Sequence, residues 1–316
     1  MKNIVLICNS FYEYEKDIVK KIEQNGDKCL YFDSNYPYSI KDRVYKHINK
    51  KKLDKKIENY FNNILNCIQE CDVLLIIFSP LLTKKFIKKF RKKFSNAKVI
   101  YYSWDSVCNF ENIKEIAGSA DKAYSFDKND CKKYNFNFLP LFCPEKDYEK
   151  KTSQYDYSMI FSLYPKKVVN YKKITNILPS DLNGYTHVFI DRKMYYYYKI
   201  FFKEFRKIQK KKLSFETLNK EKVYEIFNSS NVIIDCPLEG QSGLTIRTFE
   251  ALKMKKRIIT TNKDIKTYDF YDEKNIFVVD EETKQIPNSF FKNESEVKYE
   301  SLEKYSLQNF ISELIN

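Results

Sequence analysis

Short, uninterrupted apolar runs separated by longer amphipathic stretches constrain this chain more than any other feature of its sequence. "NIVLIC" (3–8), "KCLYFD" (28–33), "VLLIIFSP" (73–80), "KVIYYSW" (98–104) and "KAYSFD" (122–127) punctuate the first half. "YSMIFS" (157–162), "THVFID" (186–191), "NVIIDCP" (231–237), "RIITT" (257–261) and "NIFVVD" (275–280) punctuate the second. Strands that are apolar on both sides must be covered on both faces, and helices between them allow successive strands to run parallel. The pattern therefore predicts an α/β chain of two Rossmann-like domains in series, with parallel sheets facing a central cleft. At about 150 residues per domain, 316 residues agree with two. "FLPLFCPEKDYEKK" (138–151) reads as the linker, giving domains 1–145 and 146–316. "YSLQNFISELI" (305–315) closes the chain as an amphipathic helix available to pack back on the first domain. The Lys-rich stretch 41–70 reads as one long helix.

The residue counts remove several chemistries. Two His leave no His-rich metal site, and no D-x-D sequence is present, so no metal or other cofactor is expected. Five Gly (Gly26, Gly118, Gly184, Gly240 and Gly243) fit neither G-x-G-x-x-G nor the P-loop spacing. Eight dispersed Cys without a C-x-x-C read as free thiols of a reducing compartment. The opening residues lack a secretory leader, and no apolar run approaches the ~20 residues of a spanning helix, so a cytoplasmic protein is expected.

With 56 Lys+Arg against 42 Asp+Glu the formal charge is +14, but Lys, Asn, Ile, Tyr and Phe are all in excess, as in AT-rich coding. What carries information is clustering, at 46–56, 84–93 and 207–212. "KKFIKKFRKKF" (84–94) places Phe86, Phe90 and Phe94 on one helical face. That row either inserts into anionic lipid or packs on the sheet with its lysines in water, the commoner outcome and the one favoured here. Either way the lysines suit peripheral contact with an anionic inner-membrane surface.

Two close glycines in so glycine-poor a chain mark the densest segment, "NVIIDCPLEGQSGLTIRTFEALKMKKRIITTN" (231–262). A buried strand ends at Asp235, a turn with Pro237, Gly240 and Gly243 follows, and a helix opens near Leu244. Loops after strand carboxyl ends face the ligand crevice of an open parallel sheet, and a helix N-terminus there suits a diphosphate. Arg247 in the first turn adds a bidentate contact, and Glu250, three residues on, can accept two ribose hydroxyls. The alternative is an ordinary turn followed by a solvated i, i+3 pair. Thr261 and Asn262, after the next strand, are further candidates facing the same crevice. In the first half, "SWDS" (103–106) ends a strand, placing Trp104 beside Asp105 as a candidate general base, unless Asp105 or Ser106 merely caps the next helix. Asn9 and Ser10 after the first strand are similarly placed on the acceptor side.

"GQSGLTIRTFEALKMKKRIITTN", followed by "YDFYDEKNIFVVD", resembles the donor half of GT-B-fold glycosyltransferases of bacterial capsule, lipopolysaccharide and other surface-glycan clusters, CgeB-like proteins among them. The specific likeness covers about 230–280. It implies a GT-B enzyme that moves a sugar from a nucleotide-diphosphate donor to a glycan or lipid-linked acceptor. The Gly243, Leu244 and Thr245 amides would meet the diphosphate, with Arg247 nearby and Glu250 on the ribose. Where many retaining members carry a second Glu eight residues upstream, this chain has Ser242, with Gln241 beside it as a neutral contact for sugar hydroxyls. The resemblance leaves retention or inversion open. Two other function classes stand beside it. One is nucleic-acid binding through the basic surface, although the basic runs match no known module and no nucleic acid is expected. The other is a GT-B-like scaffold without catalysis.

Overall fold

A computed structural model describes residues 1–110, 112–146, 152–292 and 297–315. The chain divides into two compact units, Met1–Pro140 with Leu307–Asn316, and Leu141–Ser306.

The first unit runs β1 (Asn3–Cys8), α1 (Tyr14–Gln24), β2 (Lys28–Asp33), α2 (Ile40–Ile48), α3 (Lys50–Cys67), β3 (Val73–Ile77), α4 (Lys84–Lys93), β4 (Lys98–Ser103), α5 (Ile113–Ala117), β5 (Lys122–Ser125), α6 (Lys128–Tyr134) and β6 (Asn137–Phe138). Its sheet has the order β2-β1-β3-β4-β5-β6, and every pair is parallel. Because β1 and β3 are covered on both faces, Ile4 to Cys8 and Val73 to Ile77 are all buried.

The second unit runs β7 (Tyr155–Ser162), α7 (Val168–Ile177), β8 (Gly184–Phe189), α8 (Arg192–Phe201), α9 (Lys203–Arg206), α10 (Lys220–Asn228), β9 (Ser230–Asp235), α11 (Ile246–Lys253), β10 (Arg257–Thr260), β11 (Ile276–Val278) and α12 (Asn288–Lys292). Its parallel sheet has the order β11-β10-β9-β7-β8. The expected α/β class with two parallel Rossmann-like sheets is what the chain adopts. The closing helix α13 (Leu307–Ile315) belongs to the first unit, where Phe310 packs edge-on against Tyr102 at 4.8 Å and Tyr124 donates its hydroxyl to the Glu313 carbonyl at 3.2 Å.

The stretch 41–70 differs from the single helix its composition suggested. Asn49 ends α2 and caps α3, accepting from the Lys52 N–H at 3.1 Å. A side chain that can satisfy a new helix start makes the break affordable. At the other end Ser39 and Asp42 close a reciprocal capping box. In α4 the favoured reading holds: Phe86, Ile87 and Phe90 are buried, Phe94 is half-buried, and Lys85 and Lys89 pair with Glu58. No helix among the described residues is long and apolar enough to cross a membrane.

Candidate functional site

In the second unit the strand order reverses between β7 and β9, since β7 continues to β8 on one side and the chain then returns to β9 on the other. At such a switch the loops after neighbouring strands splay apart and leave a crevice outside their carboxyl ends. The loop after β9 is the 236–245 segment. The loop after β7 contributes a 3-10 turn, Pro165–Lys167. The two are laced together: the Glu239 N–H donates to the Lys166 carbonyl at 3.1 Å, and Asn170 Nδ2 donates to the Pro237 carbonyl at 3.1 Å. Gly240 takes φ 77°, a left-handed conformation that favours glycine, and turns the chain toward α11.

Thr245 is the N-cap of α11, its hydroxyl accepting from the Arg247 N–H at 3.2 Å. Arg247 Nη1 donates to Glu250 Oε2 at 2.6 Å, and the guanidinium lies 5.4 Å from the centre of the Phe227 ring. Glu250 is fully buried, whereas the Arg247 side chain keeps 14% exposure. The pair at i, i+3 is thus no solvated helix pair. The Glu250 carboxylate has no exposure here, and its desolvation is offset by the guanidinium, so a ribose contact would require it to leave that pair.

Asn262 is likewise held within the protein. Its Nδ2 donates to the carbonyls of Ser242 and Gly243 at 3.3 and 3.1 Å, and its Oδ1 accepts from the Asp264 N–H at 3.0 Å. Gln241, expected at sugar hydroxyls, donates its Nε2 to the Gly243 carbonyl at 2.7 Å. These two amides hold the loop that enters α11. Ser242, Gly243 and Leu244 are buried, while Gln241, Thr245 and Arg247 reach the surface in part. Thr261 is half-buried.

Beneath the loop, Asp235 is buried and accepts from Thr248 Oγ1 at 3.2 Å. Burial raises its carboxyl above the usual range, opposed by Lys167, Thr245, Thr248 and Arg247. Cys236 beside it is pushed up to about 12 by burial, so its thiol stays neutral and is a poor nucleophile at physiological pH. The unfolded chain ionises Asp235 at the ordinary carboxylate value, below the folded one. Its contribution to stability is therefore fully present below that ordinary value and is lost as pH rises through the folded value. Asp235→Asn keeps an oxygen for Thr248 and has no proton to lose. Thermal melts should place the variant above the native protein at about pH 7, with the gap closing below about pH 4. A variant less stable at neutral pH would mean that the charged carboxylate is held favourably.

Lys167 is the residue that reading the sequence missed. It is half-buried at the switch and close enough for its charge to act on both Asp235 and Cys236. The signal was "YPKK" straight after the strand "YSMIFS", but its value depends on β7 lying next to β9, about seventy residues away in the chain.

The first unit has its own switch, between β1 and β3. Asn9 Oδ1, one residue beyond β1, and Ser79 Oγ, two residues beyond β3, are buried without a hydrogen-bond partner. Phe78, between the end of β3 and Ser79, takes φ 41°, a strained backbone for a bulky residue. Ser10 is exposed, its N–H donating to Asp33 Oδ1 and its hydroxyl to Glu15 Oε1. Trp104 is half-buried, 6.2 Å from the Phe11 ring, so the loops after β1 and β4 meet. Asp105 closes a turn: its Oδ1 accepts from the Ser106 N–H at 2.8 Å and Asn109 Nδ2 at 2.7 Å. Ser106 Oγ and the Val107 N–H are in turn held by Asp127 and Asp130 of the α6 N-terminus. The capping alternative is not what forms: the 3-10 turn Val107–Asn109 begins at Ser106 without a side-chain cap bond, α5 begins only at Ile113, and the Asp105 carboxylate instead braces its own loop.

No family model and no curated protein matches the chain. Among solved structures it is similar to a glycosyltransferase from Rickettsia africae ESF-5 at 14% identity, with 100% of this chain and 93% of that one covered and a TM-score of 0.47. It is also similar to LpCGTa in complex with UDP (7% identity, 99% and 94% covered, TM-score 0.44) and to MurG of Acinetobacter baumannii (9%, 84% and 80%, TM-score 0.42).

Proposed function

We propose that the chain is a glycosyltransferase of the GT-B kind, moving a sugar from a nucleotide-diphosphate donor to a glycan or lipid-linked acceptor in cell-surface polysaccharide synthesis. One observation carries the reading. At the strand-order switch of the second sheet, a loop pinned by Gln241 and Asn262 delivers the N-terminus of α11, with Arg247 in its first turn and Lys167 across the crevice. Backbone N–H groups, the positive end of a helix and two cations form a site for a diphosphate that needs no divalent metal. The donor is a substrate and no cofactor takes part. The acceptor would lie at the first unit's switch, where buried Asn9 and Ser79 atoms are unsatisfied and Trp104 and Phe11 offer ring faces to a sugar. Asp105 would serve as base only after giving up the turn it closes. The protein would work in the cytoplasm, in peripheral contact with the anionic inner-membrane face that carries its acceptor.

Thermal-shift titration with UDP, GDP and CMP is the test. At least one nucleotide should raise the melting temperature of the native protein. Lys167→Ala should weaken that nucleotide by roughly 1.5–3 kcal/mol, the worth of a charged hydrogen bond. If no nucleotide protects, the assignment fails.

A further inference from the structure

Helix α8 has one face turned into its unit and another turned out. Tyr195 and Tyr198 face inward, packing edge-on against Phe205 at 6.2 and 5.3 Å. Tyr196, Tyr197, Ile200 and Phe201 face outward with 55, 47, 62 and 65% of their surface exposed. Single exposed apolar residues are ordinary, but these are contiguous: the Tyr197 ring lies 4.7 Å from Phe201, and Met194 and Phe202 extend the patch.

The charge around the patch has one sign. From 192 to 212 the chain carries nine Lys and Arg against one acidic residue, Glu204. At one end of α8 the Arg192 guanidinium and the Lys210 ammonium sit over the same Phe215 ring, at 5.4 and 5.8 Å. At the other end Lys199 Nζ donates to the Arg206 and Ile208 carbonyls, and Arg206 Nη2 donates to the Ile200 carbonyl, folding 203–208 back beside the helix. Lys203, Lys207, Lys211 and Lys212 are exposed and form no ion pair among the described residues.

We propose that this face of α8 is a membrane-docking surface that seats on anionic lipid headgroups. The rings of Tyr196 and Tyr197 lie at headgroup depth, Ile200 and Phe201 enter the acyl boundary, and the cations at both ends of the helix pair with lipid phosphates. A second copy of the chain fits less well, because a two-fold contact would bring two positive rims together. A nucleic acid fits less well too: bases could stack on the Tyr196, Tyr197 and Phe201 rings but would gain nothing from Ile200 and Met194, which an acyl boundary takes up with the rest. The inference rests on the membrane contact proposed above, and it moves that contact away from α4, whose Phe side chains are already in the core.

Co-sedimentation of the full chain with phosphatidylcholine vesicles, with and without phosphatidylglycerol, tests it. The native protein should bind the anionic vesicles, and less so as salt rises. Ile200→Glu with Phe201→Glu should weaken binding by roughly a hundredfold, about tenfold for each apolar side chain kept in water. Lys203→Ser with Lys207→Ser and Lys211→Ser should weaken it too and flatten the salt dependence. All five positions are exposed, so both variants should keep the native melting temperature and any nucleotide-induced shift. Vesicle binding without nucleotide protection would sink the enzymatic reading and leave the docking surface standing. Variants that bind as tightly as the native protein overturn the docking surface. So does a dimer in sedimentation velocity that the Glu variant abolishes, and so does oligonucleotide binding in place of vesicle binding.

Discussion

Replacing Arg247 by Met should cost the protein about 3–5 kcal/mol of unfolding free energy, read by urea denaturation, because it leaves the Glu250 carboxylate buried without its guanidinium. A solvent-exposed i, i+3 pair would cost no more than about 1 kcal/mol, so the magnitude separates a buried pair from a surface one. The double variant Arg247→Met/Glu250→Leu removes both charges and should regain most of the loss, since apolar replacement of a buried ion pair is often neutral. That recovery makes the pair useful for dissecting function. A stable double variant that no longer responds to nucleotide would show that Arg247 itself touches the diphosphate. One that is stable and still responds would reduce the pair to a brace for the first turns of α11. A loss below about 1 kcal/mol in the single variant would contradict the burial of Glu250.

The strands were legible because their signal is local: five or six consecutive apolar residues suffice to specify a segment buried on both faces, as at Val73–Ile77. The two-residue β6 escaped notice because Asn137–Phe138 joins the sheet by its edge position and not by its composition. Strand order is a property of segments far apart in the chain, so no local reading could place Lys167 across from the 236–245 loop. The spacing of Arg247 and Glu250 was read correctly as one face of a helix, but spacing says nothing about what covers that face. Asn262 and Gln241 show the same limit. An amide beside a glycine loop suits a sugar hydroxyl and a loop carbonyl equally well, and only the fold decides that the Gly243 carbonyl takes both. The basic charge was the least legible feature. The lysines of α4 meet Glu58, whereas the exposed apolar patch on α8 lay within a Tyr- and Lys-rich stretch that periodicity alone reads as an ordinary helix.

Phe249→Ala should be the other costly change, about 3–5 kcal/mol, for reasons independent of charge. Its ring is fully buried on α11, 5.8 Å from the Tyr305 ring and 6.4 Å from that of Phe270. How much a truncation costs depends on how far the neighbours can close the cavity, and here they are tethered. The Tyr305 hydroxyl donates to Asp269 Oδ1 at 2.5 Å, and its carbonyl accepts from the Cys143 N–H at 2.7 Å. Phe270 is held between the Tyr268 and Tyr305 rings, at 5.2 and 5.1 Å. None of these groups moves inward without breaking a bond or a ring contact, which places the expected loss in the upper part of the range. Phe249→Leu, which refills part of the volume, should lose clearly less. Phe249 thus fixes α11 through apolar packing while Arg247 and Glu250 fix it through charge. At subdenaturing temperature Phe249→Ala should reduce nucleotide protection only by loosening the helix, whereas Lys167→Ala should weaken the nucleotide by the roughly 1.5–3 kcal/mol of a charged hydrogen bond at a much smaller cost in stability, the part of its charge that acts on buried Asp235. Urea unfolding of the two Phe249 variants beside Lys167→Ala checks this, and equal stability of Phe249→Ala and the native protein would contradict the packing of the ring.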